Sequence, residues 1–330
     1  MDIKNIQSKK ILVTGSSGFI GRSLVDAFRE QHKIYGLDNV LQENSGVDKS
    51  FIWKELDNVS QIDMVIHLAG KAHDIKNASA EEEYFEINVG LTKKIFLYFL
   101  ESNATKFIFF SSVKAVSDSI TNHILTEDVL PDPKTAYGKS KYVAEKFILN
   151  EFKKWEEEMP NGLLRKEKKI FILRPCMIHG PGNKGNLNLL FNTVNRGVPW
   201  PLGSFENKRS FLGIDNLCFI IQELIEREDI LPGIYNLSDD ESLSTNEVVK
   251  LIAASQNKKY LTLNLPQSLI INLAKFGDIL KFGLNSERLQ KLTESYIVSN
   301  TKIKTAIGKP LPFKAKVGLM RTFQSFKHND

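Results

Sequence analysis

A glycine-rich turn wedged between an apolar run and a helix constrains this chain more than any other stretch. Lys9 and Lys10 precede Ile11-Leu12-Val13, and Thr14-Gly15-Ser16-Ser17-Gly18-Phe19-Ile20-Gly21 follows at once. Ile20, Leu24, Val25 and Phe28 then recur at helical spacing. The reading is strand, glycine loop, helix. Glycines at 15, 18 and 21 permit a tight turn, close approach of backbone to a pyrophosphate and tight packing of helix on strand, with the helix N-terminus facing the phosphates. The spacing is Gly-x-x-Gly-x-x-Gly, not the Gly-x-Gly-x-x-Gly of the general dinucleotide fingerprint. Gly15, Gly18, Phe19, Ile20 and Gly21 form the expected cofactor loop.

A second strand, Ile34-Tyr35-Gly36-Leu37, ends in Asp38 and Asn39. A carboxylate there accepts hydrogen bonds from the adenosine ribose hydroxyls and repels a 2′-phosphate, which favours NAD(H) over NADP(H); a turn-forming Asp-Asn pair is the bland alternative. Phe51-Ile52-Trp53 is expected as a third strand and Met64-Val65-Ile66-His67-Leu68 as a fourth, running into Ala69-Gly70-Lys71. Small residues at that end allow close approach to a cofactor. His67 and His73 have no accompanying carboxylates and read as a buried structural histidine and a loop histidine, so no metal site is expected. A helical pattern from Glu81 to Glu101 contains Asn88, and Phe107-Ile108-Phe109-Phe110 reads as a strand buried on both faces, ending in Ser111-Ser112.

About two dozen residues later, Tyr137-Gly138-Lys139-Ser140-Lys141 opens a long helix running from Thr135 to about Lys154. A tyrosine and a lysine four apart share one helix face. An ammonium there, with a cationic ring nearby, can lower the phenol pKa; a fall of about three units needs roughly 4 kcal/mol. Ile170-Phe171-Ile172-Leu173 is the sixth strand, followed by Arg174-Pro175 and His179-Gly180-Pro181-Gly182. The alternation then ends. Gly185 to Arg196 is helical, Tyr235-Asn236-Leu237 is expected to add a strand to the sheet, and Ser244-Thr245-Asn246-Glu247 opens a helix with a capping pattern. Leu265 to Leu292 reads as amphipathic helix with its apolar side in the core rather than as a membrane anchor.

At 330 residues the chain is long for one core. The expected fold is α/β: a Rossmann doubly wound parallel sheet over 1–174 and a smaller mixed α/β substrate domain over 175–330, with a segment near 233–256 crossing back to the sheet. A net charge of +5 with scattered lysines does not fit a nucleic-acid protein, although the tail from Lys302 is locally basic. The cysteines, Cys176 and Cys218, are not close together, which suits a reducing compartment. The polar start and the lack of a membrane-length apolar run lead to an expected cytoplasmic location with no membrane span.

Thr14 to Gly21, Ser111-Ser112, Tyr137 to Lys141, and Arg174-Pro175 with His179-Gly180-Pro181-Gly182 stand in one order. Together they resemble the extended short-chain dehydrogenase/reductase family, the nucleotide-sugar epimerases and dehydratases. The resemblance implies Tyr137 as general acid/base, Lys141 as the holder of the nicotinamide ribose that lowers the tyrosine pKa, and Ser112 as the hydroxyl orienting the sugar oxygen. It adds Leu68, Ala69, Gly70, Lys71, Asn88, Ser111 and Pro175 to the cofactor contacts. Asn186, Leu187, Arg209 and Arg288 are implied contacts of a nucleoside diphosphate, which an arginine fork suits. A homodimer through the helices near 81–101 and 135–155 is also implied.

Departures narrow the chemistry. Val113-Lys114 replaces the Asp-Glu pair of sugar-nucleotide dehydratases, so dehydration is not expected. Val116-Ser117-Asp118 replaces Val-Tyr-Gly, and Met177 stands where a polar residue is usual. Ser-Ser-Val-Lys-Ala-Val is similar to a subgroup acting on UDP-linked N-acetylated 4-keto-6-deoxy sugars, including quinovosamine-type C4 reductases of surface polysaccharide precursor synthesis. The leading expectation is therefore a reductase, with hydride passing to a sugar 4-keto carbon while Tyr137 donates the proton. A UDP-sugar 4-epimerase with tightly bound NAD uses the same residues and is the alternative. A non-catalytic dinucleotide-binding protein is the third reading; it has no need for Ser112, Tyr137 and Lys141 together.

Overall fold

A computed structural model describes residues 7–41, 46–71, 80–120, 124–158, 167–183, 185–280 and 285–326. His73 and the charged stretch 159–166 lie outside the described residues. In the first half β1 (Lys10–Thr14), α1 (Phe19–Phe28), β2 (Lys33–Asp38), β3 (Lys49–Ile52), β4 (Met64–His67), α2 (Glu81–Glu101), β5 (Lys106–Phe110), α3 (Ala136–Glu158) and β6 (Lys169–Pro175) follow one another. Then come β7 (Met177–His179), α4 (Asn186–Asn195), β8 (Arg209–Gly213), α5 (Ile214–Glu226), β9 (Gly233–Leu237), β10 (Ser242–Leu243), α6 (Thr245–Ser255), α7 (Gln267–Leu280), α8 (Ser286–Thr293), α9 (Thr301–Ile307) and α10 (Ala315–Ser325).

Seven strands form a parallel sheet in the order β3-β2-β1-β4-β5-β6-β9. The order reverses between β1 and β4, so the crevice at their carboxyl ends is where such sheets take ligands. Side chains alternate across the strands. Ile11, Val13, Ile34 and Ile66 face a core shared with α1, α5 and α9, while Leu12, Leu37, Val65 and Phe107 face one shared with α2 and α3. Tyr235-Asn236-Leu237 joins the sheet as expected, in parallel register with β6.

A second core gathers Leu187, Phe191, Trp200, Phe211, Val248, Ile252, Leu319 and Phe323 under a small sheet of order β10-β8-β7. The backbone enters this lobe more than once. Residues of α5 and β9 pack with the large sheet, α6 packs in the second core, and Tyr296, Val298, Ile303 and Ile307 return to the first. The part of 233–256 that rejoins the sheet is thus β9 alone; α6 puts Val248, Val249 and Ile252 into the other core.

Two local differences from the sequence reading have physical causes. Trp53 does not extend β3 but begins a 3₁₀ turn, Trp53–Asn58, with the Glu55 carboxylate accepting from the Ile52 N–H at 3.1 Å. The stretch 265–292 splits into α7 and α8, and the apolar residues of α7 are not all in the core. Ile270 and Ala274 are buried, but Leu269, Leu273 and Phe276 are exposed.

Candidate active site

Backbone geometry in the glycine loop is dictated by contact. Gly15 has φ +70°, a left-handed conformation that favours glycine. A Cβ on Gly21 would stand 2.2 Å from the Gly15 carbonyl oxygen. Gly18 is the N-cap of α1 and offers no side-chain cap, so the first N–H groups of α1 are left for an anion. At the end of β2, Asp38 is buried; its carboxylate accepts from Ser16 Oγ at 2.5 Å and Ser17 Oγ at 2.8 Å. That carboxylate sits beside the glycine loop, while Asn39 is exposed.

Thr14 locks the ends of β1 and β4 together. Its Oγ1 accepts from the Leu68 and Ala69 N–H groups at 3.2 and 3.0 Å and meets His67 Nδ1 at 2.6 Å. His67 is buried, contacts Thr92 Oγ1 through Nε2 at 3.0 Å and stacks on Phe109; burial holds its pKa well below the ordinary value. It is a neutral packing group. Asn88 then fixes the next turn: its Oδ1 accepts from Lys71 N at 2.7 Å, and its Nδ2 donates to Lys71 O and to Ser140 Oγ at 3.2 and 2.9 Å. A Cβ on Gly70 would fall 2.7 Å from Asn88 Oδ1 and 3.2 Å from Lys141 Nζ. Gly70 in the 68–71 turn therefore lies close against Lys141 of α3 and Asn88 of α2.

Ser112 sits where β5 stops. It caps the 3₁₀ turn Val113–Ala115, its Oγ accepting from Lys114 N at 3.2 Å, which holds the hydroxyl at the strand end. Asp118 anchors the start of α3: its carboxylate accepts from Lys134 N at 2.6 Å, Thr135 N at 3.0 Å and Thr135 Oγ1 at 2.8 Å. With both ends tied, the Tyr137 phenol hydrogen-bonds Ser112, and Tyr84 packs edge-on against its ring at 6.4 Å.

Charges at this site differ from the simple expectation. Burial pushes the Tyr137 phenol up, and the Ser112 hydrogen bond opposes that rise only in part. The Lys141 ammonium donates to Phe110 O at 3.0 Å and rides over the Phe109 ring; burial lowers its pKa to about 8, opposed by Glu145. Desolvation, not the through-space pull of lysine on tyrosine that the sequence spacing suggests, sets the direction of the phenol's shift.

Ser111, next to Ser112 in the chain, points elsewhere. Its Oγ donates to Glu145 Oε1 at 2.5 Å, and Glu145 also takes Arg174 in a two-bonded pair at 2.9 and 2.6 Å, all buried. Sequence spacing did not single out Glu145, although it lies one turn beyond Lys141 on the same face. Pro175 ends β6 opposite Leu237.

The expected diphosphate contacts fall at the other lobe. Asn186 is exposed in the first turn of α4, whose N-cap Gly185 has no side-chain cap, whereas the Leu187 side chain belongs to the second core, leaving its backbone for a ligand. Arg209 half-emerges from β8, donates to Lys291 O and pairs with Glu294 at 3.5 Å. Arg288 is exposed in the first turn of α8, with its N–H on Asn285 Oδ1 at 2.8 Å. Arg209 thus reaches the helix that bears Arg288. Lys114 links the two halves, its Nζ 4.5 Å from the Tyr296 ring centroid, while Tyr296 Oη donates to Ser117 O at 2.6 Å. Tyr296 thus packs against the turn that follows Ser112, a contact that no motif announced.

A model of the family described as NAD dependent epimerase/dehydratase matches residues 11–238. A UDP-glucose 4-epimerase of Vibrio cholerae is 30% identical, the match covering 96% of this chain and 95% of that one. An N-acetyl-α-D-glucosaminyl-diphospho-ditrans,octacis-undecaprenol 4-epimerase of Escherichia coli O157:H7 is 27% identical over 95% and 94% of the two chains. The fold is that of a UDP-glucuronic acid 4-epimerase from Bacillus cereus solved with NAD, with a TM-score of 0.72 at 19% identity, covering 97% of this chain and 99% of that one.

Proposed function

The chain belongs to the NAD dependent epimerase/dehydratase family, and from that premise we propose that it is a 4-epimerase of a hexose or N-acetylhexosamine carried on a diphosphate, UDP being the carrier, in surface polysaccharide precursor synthesis. The observation that carries this reading is the end-to-end likeness, at 30% identity, to a UDP-sugar 4-epimerase. It exchanges the order of the two enzyme readings drawn from the sequence, placing the 4-keto reductase second.

The residues fit NAD. The uncapped start of α1 and the Asp38 carboxylate supply a phosphate site and a ribose acceptor, and the 68–71 turn presents no Cβ at Gly70. Bound NAD supplies reversible removal and return of hydride at the sugar C4. The chain's own work is proton handling and positioning. The Tyr137 phenol exchanges a proton with the sugar O4, Ser112 Oγ holds that oxygen in line, and Lys141 supplies positive charge one turn along α3. Arg209 and Arg288 hold the diphosphate, and the N-terminal N–H groups of α4 donate to a further phosphate oxygen. Leu97, Val143 and Leu149 are exposed on α2 and α3, which supports homodimerisation through these helices.

The test is interconversion of C4-epimeric UDP-sugars by the purified protein with no added reductant. The expected result is turnover with nicotinamide retained on the protein, and a loss of about 10²–10⁴-fold in Tyr137→Phe. Stoichiometric consumption of NADH with a 4-keto sugar, without interconversion, would overturn it in favour of the reductase.

A further inference from the structure

Three consecutive residues where β5 ends are each tied to a different turn of α3. Phe110 O takes the Lys141 ammonium at 3.0 Å, Ser111 Oγ donates to Glu145 Oε1 at 2.5 Å, and the Ser112 hydroxyl meets the Tyr137 phenol. Tyr137, Lys141 and Glu145 stand four residues apart, so they line one face of the helix. Two of these contacts belong to the proton-handling group already described. The third, at Glu145, has no part in it.

Glu145 is also held from a third element. Arg174 of β6 donates to Glu145 Oε1 through Nε at 2.9 Å and to Oε2 through Nη2 at 2.6 Å. The Ser111 N–H donates to the carbonyl of Leu173, the residue before Arg174, at 2.8 Å. The chain segments of β5, α3 and β6 are thereby fastened together at one level, one residue from Ser112. Glu145 is 1% exposed and Arg174 3%. A buried ion pair is not needed to fill a core: apolar residues of similar volume often do as well, whereas removing one partner strands the other's charge. Its place here calls for a reason beyond packing.

Position and charge together supply that reason. Burial lowers the Lys141 pKa to about 8, and Glu145 is the group that opposes the fall. The other neighbours bring no negative charge to it. His67 of β4 is neutral, Tyr137 keeps its proton, Asn88 of α2 carries no charge, Lys71 of the 68–71 turn is paired with Glu83, and Arg174 is a cation. We propose that Glu145, braced by Arg174, is a positioning residue for the proton transfer. It sets the end of β5 against α3 so that Ser112 and Tyr137 meet, and it keeps the Lys141 ammonium charged beside them. Both residues act through Ser111 and Lys141 rather than on the sugar. The catalytic consequence rests on the proposed function; the effect on Lys141 does not.

Two variants test it. Glu145→Met/Arg174→Met replaces the pair by apolar side chains; it is expected to keep a thermal melt close to that of the wild type while kcat for UDP-sugar interconversion falls about 10²-fold and KM changes little. Glu145→Gln keeps the shape and removes the charge. Activity that needs the Lys141 ammonium fades as pH rises through about 8, so this variant should lose activity at a lower pH than the wild type. The same displacement is expected without any turnover. Measured from denaturant midpoints, stability relative to the matching Lys141→Met protein should begin to rise at a lower pH in the Glu145→Gln background. Wild-type kcat in the double variant would reduce the pair to packing, and an unmoved pH midpoint in Glu145→Gln would remove its hold on Lys141; either result overturns the proposal. Should one variant fail to fold, the other decides. If the wild type interconverts no UDP-sugar, the functional reading falls, and the denaturant series still decides whether Glu145 sets the charge on Lys141.

Discussion

At the scale of single residues the site is shaped by burial more than by attraction between charges. Lys141 illustrates this. Below about pH 8 its ammonium is charged in the folded and the unfolded chain alike, so the cost of burying it is fully present. Between about 8 and the ordinary 10.5 only the folded chain has shed the proton, and the cost fades. Folding stability of the wild type relative to Lys141→Met should therefore rise across that window, by an amount on the order of 3 kcal/mol. Denaturant midpoints measured for both proteins from pH 7 to about 10.5 check it; a constant gap would mean that Lys141 is not buried as a cation. Sequence spacing put Tyr137 and Lys141 on one face, and they are. It could not tell that the Lys141 ammonium would go to Phe110 O or that Ser111 would be taken by Glu145, because both partners come from chain segments 31 and 34 residues away.

At the scale of elements, glycines separate what is required from what is merely tolerated. Gly21 and Gly90 both lie inside helices, and the sequence does not distinguish them. In α1, a Cβ at Gly21 would meet Gly15 O at 2.2 Å and Ser16 at 2.7 Å, all backbone. In α2, a Cβ at Gly90 would meet nothing within 4 Å. Gly21→Ala is expected to dislodge α1 from its loop, destabilising by about 2 kcal/mol or more and weakening cofactor affinity. Gly90→Ala is expected to stabilise by roughly 0.5–1 kcal/mol. Thermal melts of the two variants decide it; equal shifts of one sign would contradict the packing. Strands β1, β4, β5 and β6 were readable because they are buried on both faces, so their apolar runs are unbroken. Helix α7 was misread in part for the converse reason: periodicity reports that a helix has an apolar side, not which apolar residues find a neighbour.

At the scale of the whole molecule, the two lobes are stitched by repeated crossings of the chain. Residues of α4 and β8 join the second core, α5 and β9 the first, α6 the second, α9 the first and α10 the second. Neither lobe can unfold without pulling out segments of the other. A single denaturant transition is expected, with near-ultraviolet and far-ultraviolet circular dichroism superimposing; two separated transitions would show that the lobes melt independently. What the sequence by itself determined is the part written in local spacing: a strand, a glycine loop and a helix for a dinucleotide, a serine at a strand end, a tyrosine and a lysine one turn apart, and the strand that returns to the sheet. What only the tertiary structure decided is which groups share a neighbourhood. It brought Arg209 to the helix bearing Arg288, set Tyr296 against Lys114, closed Glu145 on Arg174, and left one side of α7 uncovered. The physical reason is that periodicity and turn chemistry act over a few residues, whereas burial, desolvation and ion pairing depend on contacts between segments far apart in the chain.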